Sequence, residues 1–127
     1  MSGYSAPRLS HMIRPESLPF SWLSRVTDTG AWSRGRRYFR DGMAQVVDVE
    51  DLDADTLELF GFCRGSAPQP YRQTVQIRRE GGGYGLHGRC TCPVGVNCKH
   101  VVALVLTWQA LTPRAAEVRN PIDDWLS

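Results

Sequence analysis

Cys90-Thr-Cys-Pro-Val-Gly-Val-Asn-Cys98-Lys-His100 holds three of the four cysteines and one of the three histidines of a 127-residue chain. The pattern is C-x-C, five residues, then C-x-H. Four thiolate or imidazole donors so close together suit one tetrahedral zinc ion in a Cys₃His site. Cys90, Cys92, Cys98 and His100 are therefore the candidate metal ligands, with one structural Zn²⁺ as the cofactor. An i, i+2 pair in a strand projects to one side, so Cys90 and Cys92 can both face the ion. Pro93 and Gly95 let the chain turn away and return. Asn97 suits either a turn or the cap of a following helix. Cys98 and His100 then enter at the start of that helix, where the positive end of the helix dipole favours thiolate. Four protein ligands close the site, whereas catalytic zinc keeps a position for water, so the pattern reads as structural.

Other uses of these residues are weaker. A disulfide within the cluster suits an oxidising compartment. Yet the stretch Met1 to Phe20 lacks the apolar core of a secretory signal. The longest apolar run, Val101 to Leu106, is far below the roughly 20 residues that span a bilayer. The chain reads as cytoplasmic, with no membrane partner, and there clustered cysteines favour metal. A redox or nucleophilic cysteine lacks a C-x-x-C motif and a carboxylate to orient His100. Cys63 reads as a small core residue. His87 falls on the strand face opposite Cys90 and Cys92, and His11 falls in the leader.

Outward from the cluster, periodicity sets the architecture. Residues 1–17 read as a flexible leader. A short helix is expected over 18–26, opened by Ser17 with Pro19 in its first turn. Thr27-Asp-Thr-Gly30 breaks the chain and starts a second helix over 31–41, with Trp32, Tyr38 and Phe39 at helical spacing and Gly42 just past its end. Gly35 lies on the side of Trp32, where another backbone could come close. From residue 43 the period becomes two. Strands are expected over 44–49, 56–64, 71–78 and 84–92, with a hairpin-like connection over 51–55 and a turn over 80–83. Leu57, Leu59, Gly61 and Cys63 share one face, as do Tyr71, Gln73, Val75 and Ile77. After His100 the β-branched residues pull towards strand, but length, Ala103, the leucines and the Pro113 stop favour a buried helix. The fold class is α+β: a small antiparallel sheet of about four strands with flanking helices, ending in a β-β-α finger. One domain covers 18–111, its finger core 84–111, and a tail of 112–127 ends in the apolar pair Trp125-Leu126.

A net charge of +2 is too small by itself to argue for nucleic acid. Its distribution is uneven. Asp48, Glu50, Asp51, Asp53, Asp55 and Glu58 cluster without a base, whereas six basic residues between 64 and 100 meet one acid, Glu80. Arg34, Arg36, Arg37 and Arg40 occupy much of the second helix's remaining surface, as a solvated face or a phosphate-binding one. The candidate nucleic-acid contacts are Arg36, Arg37, Arg40, Arg72, Arg78, Arg89 and Lys99. No aromatic ladder for stacking single strands is evident in the sequence.

The ligand pattern, followed by Val101-Val-Ala-Leu-Val-Leu106, resembles the SWIM zinc finger. Upstream, Arg34-Gly35-Arg-Arg-Tyr38-Phe39-x-x-Gly42, Val46, Arg64-Gly65-Ser66, Tyr71 and Val75 are similar to the region preceding the finger in bacterial Swi/Snf-type ATPases. The likeness spans about residues 30–111, with a spacer at the short end of what such fingers show. It implies a β-β-α finger, structural zinc, and DNA or protein partners. No G-x-x-x-x-G-K-[ST] loop is present, and 127 residues cannot hold two motor lobes. The resemblance therefore implies a non-catalytic module, either the N-terminal accessory part of a Swi/Snf-type ATPase, which is preferred, or a stand-alone accessory protein. The arginines flanking the finger add the expectation that it binds DNA, with weak sequence preference. The alternative is a module docking on the ATPase lobes or another subunit.

Overall fold

A computed structural model describes residues 13–19 and 21–111. A 3₁₀ turn, Pro15–Ser17, precedes helix α1 (Trp22–Val26) and helix α2 (Thr29–Arg40) among the described residues. Four strands follow, β1 (Ala44–Asp53), β2 (Thr56–Cys63), β3 (Tyr71–Glu80) and β4 (Gly83–Cys90), and then helix α3 (Lys99–Ala110). The strands form one antiparallel sheet in the order β1-β2-β3-β4, a pure meander.

Local chemistry sets the boundaries. The Asp28 carboxylate accepts the Ala31 N–H at 2.8 Å and caps α2. Gly42, at φ +69°, turns the chain out of that helix. Gly81 and Gly82, also at positive φ, make the β3–β4 turn. The Asp53 carboxylate accepts the Asp55 N–H and closes the β1–β2 turn.

The inner face of the sheet is dry. Leu57, Leu59, Val75 and Ile77 are fully buried, and they meet Val101, Val102, Leu104 and Val105 of α3. Each such side chain contributes about 1.5–3 kcal/mol on removal from water. α3 lies across all four strands, and α2 packs on its other side. A helix covered on both sides is apolar nearly all round, which is why its valines look strand-like in sequence. Gly35 is where α2 and α3 meet: a Cβ there would sit 2.5 Å from Val102 Cβ and 2.8 Å from the Lys99 carbonyl. The expected close backbone approach is present.

Some boundaries differ from the sequence reading. The first helix begins at Trp22, because Leu18, the residue before Pro19, takes an extended conformation (φ −94°, ψ 140°). The packed unit reaches back to Ile13, 2% exposed, within the stretch read as leader. β1 runs to Asp53, leaving only Ala54 and Asp55 as the connection. An irregularity at Val47, between paired Val46 and Asp48, shifts its inside–outside alternation. β3 extends to Glu80, and β4 ends at Cys90, leaving Cys92 in the bend beyond. His11 and the Trp125-Leu126 pair lie outside the described residues. Among the described residues, no helix is long and apolar enough to cross a membrane.

Candidate metal centre

The end of β4, the returning loop and the first turn of α3 bring four side chains together. The donor atoms of Cys90, Cys92, Cys98 and His100 all lie within 4.8 Å of one another. Cys92 Sγ is 3.5 Å from Cys98 Sγ, and His100 Nδ1 is 3.7 Å from Cys90 Sγ and 3.6 Å from Cys98 Sγ. Zn–S bonds near 2.3 Å and Zn–N bonds near 2.0–2.1 Å place tetrahedral sulfur pairs about 3.8 Å apart and sulfur–nitrogen pairs about 3.6 Å apart. The donor set fits one zinc ion in both chemistry and spacing. The four residues are 2–9% exposed, so water is already excluded. With all four positions taken by protein, the zinc organises structure and leaves no site for a reacting water.

The loop is shaped for this. Gly95 sits at φ +86° and Asn97 at φ +45°, both in the left-handed region. Asn97 tolerates that conformation because its short amide bonds locally. Its Oδ1 accepts the Gly88 N–H at 2.7 Å and its Nδ2 donates to the Leu86 carbonyl at 3.1 Å. The returning chain thus clips onto the free edge of β4, and Cys98 becomes the N-cap of α3. Cys92 reaches the cluster from the bend rather than from an extended i, i+2 pair.

A further ring of residues holds the ligands. Gln73, 2% exposed, donates from Nε2 to Cys90 Sγ at 3.2 Å. The His100 ring lies between Tyr71, with centroids 4.6 Å apart, and Tyr38, edge-on at 5.3 Å. Its Nε2 is buried with no hydrogen-bond partner among the described residues. A Cβ on Gly65 would come within 2.9 Å of that Nε2, so residue 65 closes the back of the ring. Gln73 signalled itself as an amide at an inward strand position. Tyr38, Tyr71 and Gly65 were picked out only by the upstream resemblance, which does not place them at His100, since that contact depends on tertiary packing.

Thiol acidity follows the crowding. Hydrogen bonding from Cys98, with that from His100 and Gln73, lowers the Cys90 thiol to about 3 against the opposing effect of burial. The same Cys90–Cys98 interaction, and then burial, push Cys98 up. Zinc must displace the Cys98 proton, so metal binding releases protons and weakens in acid. Cys63 is fully buried outside the cluster and pushed up to about 12, first by burial and then by the Cys90 charge. It is a core thiol, as read from sequence. His87 is on the outer face, its Nε2 2.7 Å from Glu80 Oε2.

The seven basic candidates are not brought together. Arg36, Arg37 and Arg40 are exposed on α2. Arg72, Arg78 and Arg89 occupy the outer face of the sheet, with the sheet and α3 between them and α2. Arg78 bonds Gln76 on its own strand. Lys99 Nζ lies 5.6 Å over the Tyr38 ring at the start of α3.

A buried, four-ligand thiolate–imidazole centre between a β-hairpin and a helix defines a structural zinc finger. Residues 84–109 match the family model of the SWIM zinc finger, and the four ligands fall inside that match. Neither a curated protein nor a solved structure matches the chain.

Proposed function

We propose that this zinc finger is a non-catalytic module that holds a basic helix against the backbone of duplex DNA, as an accessory part of a Swi/Snf-type ATPase. The observation that carries the reading is the arginine face of α2. Arg36, Arg37 and Arg40 are exposed and make no ion pair among the described residues. Phosphates are the natural counter-charge for such a row, and contacts of this kind position a protein without reading bases. Zinc would matter at one remove: it fixes the start of α3, and α3 fixes α2 through Gly35 and Val102.

Titration of the zinc-loaded chain with a short labelled duplex at low and moderate salt tests this. Binding should be steep in salt, and each arginine changed to alanine should reduce the logarithmic slope by about 0.9. A chain that ignores duplex even at low salt, or a triple alanine variant with undiminished affinity, sinks the reading. Val94 and Val96, 71% and 62% exposed at the tip of the metal loop, favour the second reading, a protein docking surface on the ATPase lobes or another subunit.

A further inference from the structure

The outer face of the sheet is not uniform. Towards the hairpin turns it is polar and self-satisfied: Gln76 Nε2 donates to Glu58, Arg78 bonds Gln76, and His87 meets Glu80. Towards the zinc end that pattern stops. Phe60 and Phe62 stand side by side at i, i+2 on β2, partly exposed and 37% exposed respectively. Phe62 pairs directly with Arg72, and Phe60 with Thr74, whose next neighbour is Arg89. These residues and Val47 line a shallow hollow of about 480 Å³ containing no acid. A second hollow of about 760 Å³ borders Phe62 from the other side, with Arg64 in its wall and Asp41 its one acid. Neither Arg72 nor Arg89 forms an ion pair among the described residues.

Large aromatics left even partly exposed on a strand are costly to leave wet, and here they are bordered by positive charge without an ion-pair partner among the described residues. We infer that this zinc-end face is a platform for an extended single strand of nucleic acid, with bases on Phe60 and Phe62 and phosphates at Arg72 and Arg89. The spacing selects the single strand. Two residues at i, i+2 stand about 6.7 Å apart along β2. Bases within a duplex rise about 3.4 Å per nucleotide, and their faces are buried in the stack. Only an unstacked strand can lay successive bases on these two rings. Charge sets the lateral placement. Asp48 flanks Phe60 from β1, so the phosphates run on the β3–β4 side and the bases lean towards β1. Phe60, Arg72 and Arg89 lie on the outer face of the sheet, opposite the face that α3 covers, and the inference does not depend on the duplex reading.

The test uses the full zinc-loaded chain and a labelled oligothymidine of about eight nucleotides, followed by fluorescence anisotropy. The oligonucleotide should bind at low salt. Phe62→Ala and Phe60→Ala should each weaken binding by about 5- to 100-fold. Phe62→Leu, which keeps apolar bulk but removes the ring, should weaken it similarly if the alanine variant loses stability. Arg72→Ala and Arg89→Ala should each lower the salt slope by about 0.7. Alanines at Arg36, Arg37 and Arg40 should leave this binding unchanged while reducing duplex binding, so the two readings fail separately. Absence of oligothymidine binding at low salt overturns the inference, as does full affinity in the Phe62→Leu and Arg72→Ala variants. Either result would reassign the patch to a protein partner.

Discussion

The two edges of the sheet are protected in different ways. At β4 the metal loop covers the edge: the Cys90 N–H donates to the Gly95 carbonyl at 2.8 Å, and the Asn97 N–H to Gly88 at 2.9 Å. Val96 bridges to Arg89, and the Asn97 amide bonds Leu86 and Gly88. At β1 nothing among the described residues covers the edge. There the strand is bent by an irregularity at Val47 and carries Asp48, Glu50, Asp51 and Asp53. Both devices discourage pairing with another chain, one by occupation and one by charge and shape. The first is conditional on an ion, and the second is built into the covalent chain.

The largest way to break this contrast is to remove the metal. Chelation, or Cys98→Ser, should remove apparent stabilisation on the order of 10 kcal/mol and unfold at least residues 84–111. Hydrogen exchange should then show loss of protection at Gly88, Asn97 and throughout α3; an unchanged melt in chelator would contradict this. A smaller cut is Asn97→Ala. It removes both side-chain bonds to β4 and places alanine at positive φ, so destabilisation of about 1–3 kcal/mol is expected in denaturant titrations, with zinc stoichiometry retained. The smallest effect belongs to β1. Glu50 faces Glu58 across the strands, a like-charge pair. Glu50→Gln should therefore leave stability within about 0.5 kcal/mol or raise it slightly. A marked loss there would mean that the charged edge also supports the fold.

Much of this was legible because short-range rules dominate the relevant stretches. The ligands lie within eleven residues, so C-x-C and C-x-H named them without knowledge of the fold. The inward rows of β2 and β3 followed from parity alone, and a stop at Pro113 separated helix from strand after His100. What stayed hidden depends on distant parts of the chain or on broken periodicity. Asp51 and Asp53 of β1 looked like a turn because an exposed edge strand needs no apolar row, and the irregularity at Val47 breaks its alternation. Ile13 looked like leader because its burial comes from joining a core built by residues distant in sequence. Leu-Glu-Leu-Phe-Gly-Phe is apolar at both parities beyond Glu58, so Phe60 and Phe62 did not stand out. Parity places them opposite the Leu57–Leu59 row, but only the fold shows that nothing among the described residues covers that face at Phe62.

The contact between Gly35 and Val102 also constrains the order in which the molecule can assemble. Every strand pairs with its sequence neighbour, and the zinc ligands are nearly adjacent, so hairpins and metal loop close short chain segments at low entropic cost. α2 and α3 come from opposite ends of the domain, and their seat demands a bare Cα. Docking there is strongly non-local, like the Trp22 bond to the Tyr84 carbonyl, and it depends on an α3 anchored at Cys98. Metal capture is therefore expected to precede the locking of α2, and slow zinc supply would hold the chain with α3 unanchored and its arginine helix still undocked.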